Sequence, residues 1–358
     1  MLHKLLYPLA DHYIVFNVFK YITFRTFGAL LTSLILYFIF GGPLIRFLQK
    51  WQVTQTIRKD GPESHLKKTG TPTSGGVLTL LCIIVSVVTW MDFSNLSVWL
   101  VLSLFISYAL IGFYDDFRKI KYGSSRGLPG RYKLLAQIVA ASVVCFFLIR
   151  FFTPDTRLSF PFFKAFRPDL EGWYIVFAVF VIVGASNAVN LTDGLDGLAA
   201  GPSIISFMTY MILAYLAGHA RIAFYLQIPH IPGSGELAVF CGAVVGALVG
   251  FLWYNTYPAQ IFMGDVGSLP LGAALGYVAL VTKNEFLLVI VGGVFVLEAI
   301  SVMTQVASFQ LTGKRVFRMA PIHHHFELKG WKEPKIIVRF WIVSFILSLI
   351  ALSTIKLR

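Results

Sequence analysis

Asp115 and Asp116 stand side by side directly after an apolar run over residues 98–114, where a membrane helix is expected to emerge into water. Adjacent carboxylates at such a place suit metal-dependent chemistry at a membrane surface, because Mg²⁺ prefers oxygen ligands and bridges them to phosphate oxygens. Further polar residues are rationed to other helix ends: Asn187, Asn190, Asp193 and Asp196; Asn255 with Asp265; and the triplet His323, His324 and His325. Asp115, Asp116 and Asp265 are the candidate Mg²⁺ ligands. Lys119, Lys133 and Lys68, the last beside the turn-rich residues 70–76, are the candidate cations of a phosphate clamp.

Asn187, Asn190 and Asp193 recur at every third position, so a helix beginning near Tyr174 and running through them carries them on one sector. The turn Gly194-Leu195-Asp196-Gly197 then offers backbone donors able to admit a nucleotide base or phosphate, although the same residues suit an ordinary tight turn. A polar stripe inside an apolar helix favours the functional reading. Asn255 has two readings, ligand contact or helix-end hydrogen bonding, and so has Phe262, stacking on a base or an ordinary interfacial aromatic. Consecutive histidines cannot all face one metal from a regular helix, and the cysteines lie elsewhere. A structural zinc site is therefore disfavoured, and hydrogen bonding or charge donation to a pyrophosphate is the better use of the triplet. Glu298, inside an apolar stretch, has two readings, a proton-relay group or a structural residue satisfied by Ser301, Thr304 and Gln305, and the structural one is favoured. Arg46 and Arg339 read as side chains reaching the membrane interface.

The elements that must position these groups follow from composition. The chain has 57% hydrophobic and 13% charged residues and a mean hydropathy of +0.74, outside the range of ordinary soluble domains. A span needs ~20 mainly apolar residues, and about ten stretches qualify, centred near residues 35, 83, 105, 142, 181, 207, 246, 274, 295 and 346. Stretches such as 237–252 are apolar on all sides, which excludes the alternating strands of a barrel. The expected fold is all-α, a polytopic integral membrane helical bundle in which residues 1–358 form a single catalytic domain. Gly242, Gly246 and Gly250, at fourfold spacing, are expected to let helices approach closely. Cys82, Cys145 and Cys241 fall in apolar spans as packing residues, and the N-terminal stretch, interrupted by Asp11 and His12, reads as a retained interfacial segment.

Lys and Arg concentrate in residues 49–73, 115–133 and 307–335, all on one side of a ten-span protein. That side is expected to be cytoplasmic, with the termini periplasmic, although Arg150, Arg157, Lys164 and Arg167 then lie outside, accompanied by Asp155, Asp169 and Glu171. Loops near 191–197 and 255–268 join the same face, so the polar clusters are expected to converge there. A net charge of +13 favours anionic headgroups and phosphorylated ligands without implying nucleic-acid binding.

Five motifs, in order along nearly the whole chain, carry a family resemblance. They are Gly70-Thr71-Pro72-Thr73, Asp115-Asp116-Phe117-Arg118-Lys119, Asn190-Leu191-Thr192-Asp193-Gly194-Leu195-Asp196-Gly197, Phe262-Met263-Gly264-Asp265 and Pro321-Ile322-His323-His324-His325-Phe326-Glu327. The chain resembles the phospho-N-acetylmuramoyl-pentapeptide transferases (translocase I), a branch of the polyprenyl-phosphate N-acetylhexosamine-1-phosphate transferases. Ser74 departs from the Met common in relatives. The resemblance implies Mg²⁺-dependent transfer of phospho-N-acetylmuramoyl-pentapeptide from its UDP conjugate to undecaprenyl phosphate, giving lipid I and UMP for peptidoglycan synthesis. It also implies a homodimer in the bacterial inner membrane with a cytoplasmic active site.

Carried onto this sequence, the family pattern makes Asp265 the metal ligand. Asp115 and Asp116 then lie near the reacting phosphates, with Lys68, Lys119, Lys133, Asn190, Asp193, His323, His324 and His325 as further catalytic candidates. Thr73, Leu195, Asp196, Asn255 and Phe262 fall where relatives hold the nucleotide. A related N-acetylglucosamine-1-phosphate transferase is the nearest alternative, but consecutive histidines match the muramoyl branch. An ion-coupled transporter, expected to have broken repeats and a midplane site, fits less well.

Overall fold

The computed structural model describes residues 2–51, 70–123, 127–152, 155–163 and 166–357. Among them run ten principal helices: α1 (Ile22–Lys50), α2 (Gly76–Trp90), α3 (Leu96–Lys121), α4 (Gly130–Phe151), α5 (Tyr174–Thr192), α6 (Ala200–Gly218), α7 (Gly235–Asn255), α8 (Asp265–Val281), α9 (Gly293–Thr312) and α10 (Glu333–Ser353). Eight are long and apolar enough to cross a membrane, while α2 and α8 are shorter. The chain is all-α, and its outward faces carry Phe27, Leu110, Phe180, Met303 and Leu349, exposed side chains suited to lipid rather than water.

The expected stretch near 274 is the centre of the bundle. Every residue of α8 after Asp265 is buried, with α3 and α5 as its main neighbours. At 17 residues, or about 26 Å, α8 needs no lipid-facing stripe because protein surrounds it. The stretch near 295 shifts: a short helix, Leu287–Val291, stops at Gly292, and the regular span begins only at Gly293.

The small-residue spacing of α7 packs as expected. A Cβ on Gly242 would stand 2.7 Å from the Thr26 carbonyl oxygen, and one on Gly250 would stand 2.5 Å from Tyr37 Cβ, so α1 and α7 touch backbone to backbone. Cys82, Cys145 and Cys241 are free and buried, in keeping with packing.

Alternation of the ten helices brings Lys50 and Gly76, Lys121 and Gly130, Thr192 and Ala200, Asn255 and Asp265, and Thr312 and Glu333 to one end. The other end is held by polar clamps. Arg25 makes a buried bidentate pair with Glu236, at 3.0 and 2.6 Å, and Glu236 also accepts from the Asp92 amide. Arg157 and Asp169 pair in an isolated antiparallel backbone bridge, and Lys283 donates to the Asp155 carbonyl and to Tyr174 Oη. Tyr174 in turn donates to Glu285 at 2.6 Å. Burial pushes the Glu285 carboxyl up to about 7, against the opposing pull of Lys283 and Tyr174.

Candidate active site

α3 does not end where its apolar run ends. It continues through Lys121, so Asp115 and Asp116 lie inside the helix and are only 2% and 6% exposed. A solvated helix end is thereby excluded. One turn earlier, Gly112 lies against the first turn of α8: a Cβ there would collide with the Asp265 carbonyl and come within 2.7 Å of the Val266 nitrogen. This contact draws the α3 carboxylates up to the N-terminus of α8, where Asp116 Oδ2 accepts from the Val266 amide at 3.0 Å. Carboxylates are favoured there by the unpaired amides and the helix dipole. Gly264, at φ +76°, makes the turn into α8, and a side chain would stand 2.6 Å from Asp116 Oδ2.

The predicted cations meet these carboxylates. Lys119 Nζ lies 2.6 Å from Asp115 Oδ2, 3.4 Å from Asp116 Oδ1 and 3.0 Å from Asp265 Oδ2. Lys133, in the first turn of α4, reaches Asp265 Oδ2 at 2.5 Å. Asn190 donates to Asp265 Oδ1 and to Ser268 Oγ, each at 2.8 Å. Asp115 Oδ1 accepts from the Leu128 amide at 2.6 Å, which ties the residues just before α4 to α3. Four helices thus contribute to one cluster, in which three carboxylates face two ammoniums.

Oxygens of Asp115, Asp116 and Asp265 lie within 4.8 Å of one another, and this all-oxygen donor set fits a hard divalent cation. Asp193 caps the end of α5 beside this cluster. Burial, reinforced by Asp265, Asp116 and Asp196, pushes its carboxyl up to about 7.

The stripe on α5 divides. Asn190 and Asp193 face the cluster, whereas Asn187 donates to Gln137 Oε1 at 2.7 Å and to the Val183 carbonyl at 2.8 Å. Gln137 was not singled out from the sequence. Its position one turn after Lys133, on the same face of α4, is the signal that would have found it.

The residues expected to hold a nucleotide form a neighbouring wall. The 70–76 stretch is stitched to the 262–263 strand of chain: Phe262 donates to the Pro72 carbonyl, and Gly75 donates to the Phe262 carbonyl, both at 2.8 Å. Thr73 is buried at this seam and Phe262 is half-buried. Asn255 spends its amide on backbone, accepting from Gly197 at 2.8 Å and donating to the Ile261 carbonyl at 2.8 Å. Asp196 Oδ2 accepts from Ala259, and its amide donates to Glu333 Oε1, each at 3.0 Å. Leu195 packs with Leu198, Ile336 and Ile337. Asp196, Asn255 and Leu195 therefore shape the wall. Glu333, a further residue missed in the sequence, joins it at the start of α10.

The histidines sit on a short helix, Ile322–Glu327, and separate as the helix geometry requires. His323 is fully buried, with Nδ1 3.1 Å from Glu298 Oε2. His324 pairs with Glu327 at 2.7 Å. His325 Nδ1 accepts from the Arg318 amide at 3.1 Å, and burial, with Lys329 and Arg318, lowers its pKa below the usual imidazole value. Charge donation by His325 is thus disfavoured.

One other expectation is corrected. Ser301 bonds the Glu298 backbone carbonyl and Gln305 bonds the backbone of residues 316–317, so neither satisfies the Glu298 carboxylate. Arg339 is exposed and stacks over the Trp331 ring at 4.3 Å. Lys68 lies outside the described residues.

Known proteins share this chain throughout. The description "Glycosyl transferase family 4" matches residues 98–283, which hold Asp115, Asp116, Lys119, Lys133, Asn190, Asp193 and Asp265. The chain is 58% identical to the phospho-N-acetylmuramoyl-pentapeptide-transferases of Geobacter sp. (strain M21) and Pelobacter propionicus, over 360 residues and the full length of both partners. It is 56% identical to the enzyme of that name from Thermodesulfovibrio yellowstonii over 363 residues, again at full coverage. With its carboxylates and lysines gathered inside the matched region, the chain belongs to glycosyl transferase family 4 and, within it, to the phospho-N-acetylmuramoyl-pentapeptide-transferases.

Proposed function

We propose that this protein transfers phospho-N-acetylmuramoyl-pentapeptide from its UDP conjugate to undecaprenyl phosphate, forming lipid I and UMP in peptidoglycan synthesis. The observation that carries the reading is the meeting of Asp115, Asp116 and Asp265 with Lys119, Lys133 and Asn190 at one end of the bundle. A diphosphate donor and a phosphate acceptor need this mixture of cation-binding oxygens and fixed ammoniums.

Asp115, Asp116 and Asp265 would hold Mg²⁺, with Asp265 as the principal ligand, and the ion, when bound, supplies neutralisation of pyrophosphate charge. Lys119 and Lys133 bind phosphate oxygens, and Asn190 keeps Asp265 oriented. An oxygen of the lipid phosphate forms a bond to the phosphorus next to the sugar while the bond from that phosphorus to the UMP oxygen breaks. The electron pair leaves with UMP. A phosphate monoester has a second pKa of ~6, so the nucleophile is largely dianionic near neutrality. Asp115 then orients it, or removes the remaining proton, in one in-line step. The wall of Thr73, Leu195, Asp196, Asn255 and Phe262 receives the nucleoside, and Lys68 joins the phosphate clamp. The Lys and Arg bias of the loops supports a site facing the cytoplasm at a bacterial inner membrane, and the reading includes a homodimer.

A donor competition tests the reading. The muramoyl-pentapeptide conjugate of UDP is consumed ahead of UDP-N-acetylglucosamine; the reverse preference contradicts the assignment. Phosphate trapped on the protein from labelled donor, without lipid acceptor, would overturn the single step in favour of an aspartyl-phosphate route.

A further inference from the structure

Glu298 lies within the α9 span and is fully buried, an expensive place for a carboxyl group unless it has a task. Its own helix does not satisfy it. Neither carboxylate oxygen has a hydrogen bond of regular geometry among the described residues, and Oε2 stands 3.1 Å from Nδ1 of His323. His323 arrives from a different element, the short helix Ile322–Glu327, and is equally buried. Its second nitrogen, Nε2, also has no hydrogen-bond partner among the described residues. That nitrogen is directed at the 193–197 turn: a Cβ on Gly194 would overlap it, so only a glycine there lets Nε2 lie against the chain beside Asp193.

We infer that Glu298 is a positioning residue that holds the His323 imidazole with Nδ1–H toward the span and Nε2 toward the donor-binding turn. A ring nitrogen facing a carboxylate keeps its proton, which fixes the tautomer and the role of the other nitrogen. With Nδ1 holding the proton, Nε2 presents its lone pair to the turn. A second anchor on the same helix supports the arrangement. Gln305 binds the backbone at Val316 and Phe317, so α9 carries the histidine loop at two points, Glu298 and Gln305. The inference rests on the proposed transfer reaction for its catalytic consequence, but the tautomer itself does not depend on that reaction.

The test uses the full-length enzyme in nanodiscs, with UMP release and ¹⁵N-imidazole NMR as paired readouts. Glu298→Gln is expected to lower kcat about 10–100-fold, as loss of an orienting partner typically does, with donor KM changed less than about twofold. Glu298→Asp recovers part of the loss. The double variant Glu298→Gln with His323→Asn is no slower than His323→Asn alone, because both changes remove one unit. The His323 signal shows Nδ1–H in the unaltered protein and loses that tautomer preference in Glu298→Leu. Multiplicative losses in the double variant, an unchanged kcat in Glu298→Gln, or an Nε2–H tautomer in the unaltered protein would each overturn the inference. Should Glu298→Leu fail to fold, the spectrum of the unaltered protein and the double-variant comparison decide. If the unaltered protein releases no UMP, the transfer reading fails, while the spectrum still tests the Glu298–His323 orientation separately.

Discussion

Gly112→Ala adds one methyl group where α3 touches the first turn of α8, and its effect can be worked from distances. The new Cβ would stand 2.7 Å from the Val266 nitrogen and closer still to the Asp265 carbonyl, whereas ordinary contact begins at 3.4 Å. The tightest contact, 2.2 Å to the Asp265 carbonyl oxygen, sets the requirement, so the helices must part by 3.4 minus 2.2, or about 1.2 Å. Added to the 3.0 Å bond between Asp116 Oδ2 and the Val266 amide, that gives about 4.2 Å, beyond hydrogen-bonding range. Overpacking of this kind costs about 1–3 kcal/mol, which a large bundle survives. A displacement of about 1 Å among reacting groups costs about 100-fold in rate. The variant is therefore expected to fold, to bind lipid vesicles normally, and to release UMP about 100-fold more slowly. Thermal inactivation measured alongside turnover separates the two effects. Activity within threefold of the unaltered enzyme would refute the claim that this glycine contact sets the spacing of the carboxylates.

Asp265→Asn is expected to lower Mg²⁺-dependent turnover about 100–1000-fold without loss of the helical circular dichroism, and undiminished turnover would remove Asp265 from the proposed metal site. Arg25→Leu leaves Glu236 buried without its cation and is expected to cost about 3–5 kcal/mol, read as faster heat inactivation, with much of the loss recovered in the Arg25→Leu, Glu236→Leu double variant. Equal stability of the single variant and the unaltered protein would show that the clamp contributes nothing. Glu285 has a folded pKa raised to about 7 from 4.5, so its contribution favours the fold at low pH and is lost as pH rises through about 7. Heat resistance should fall across that window and fall less in Glu285→Gln; identical profiles for the two proteins would contradict the assignment.

Much of this was legible because membrane helices leave so few places for polarity. The apolar runs predict the helices, and the polar residues at their ends converge as expected, since Asp115, Asp116, Lys119, Lys133, Asn190 and Asp265 meet within bonding distance. What sequence periodicity misses is depth and partnership. Nothing in the run 98–114 says that α3 continues to Lys121 and buries both carboxylates, because burial there depends on α8 lying alongside. Residues 265–281 look like a lipid-facing span, yet they form the protein-enclosed centre, a difference fixed by neighbours far along the chain. Arg25 with Glu236 and Glu298 with His323 are pairs between distant elements, each member alone resembling an isolated charge in an apolar stretch. Asn187 has the right period for the site but lies one turn too deep and finds Gln137 instead.

The most direct test of the central claim is a reconstituted assay in liposomes with the UDP-linked muramoyl-pentapeptide and undecaprenyl phosphate, following UMP and the lipid product together. The account predicts one UMP for each lipid product in the presence of Mg²⁺, loss of both on chelation, and recovery on adding the ion back. UMP release that persists at full rate under chelation, or that appears without a matching lipid product, would contradict it.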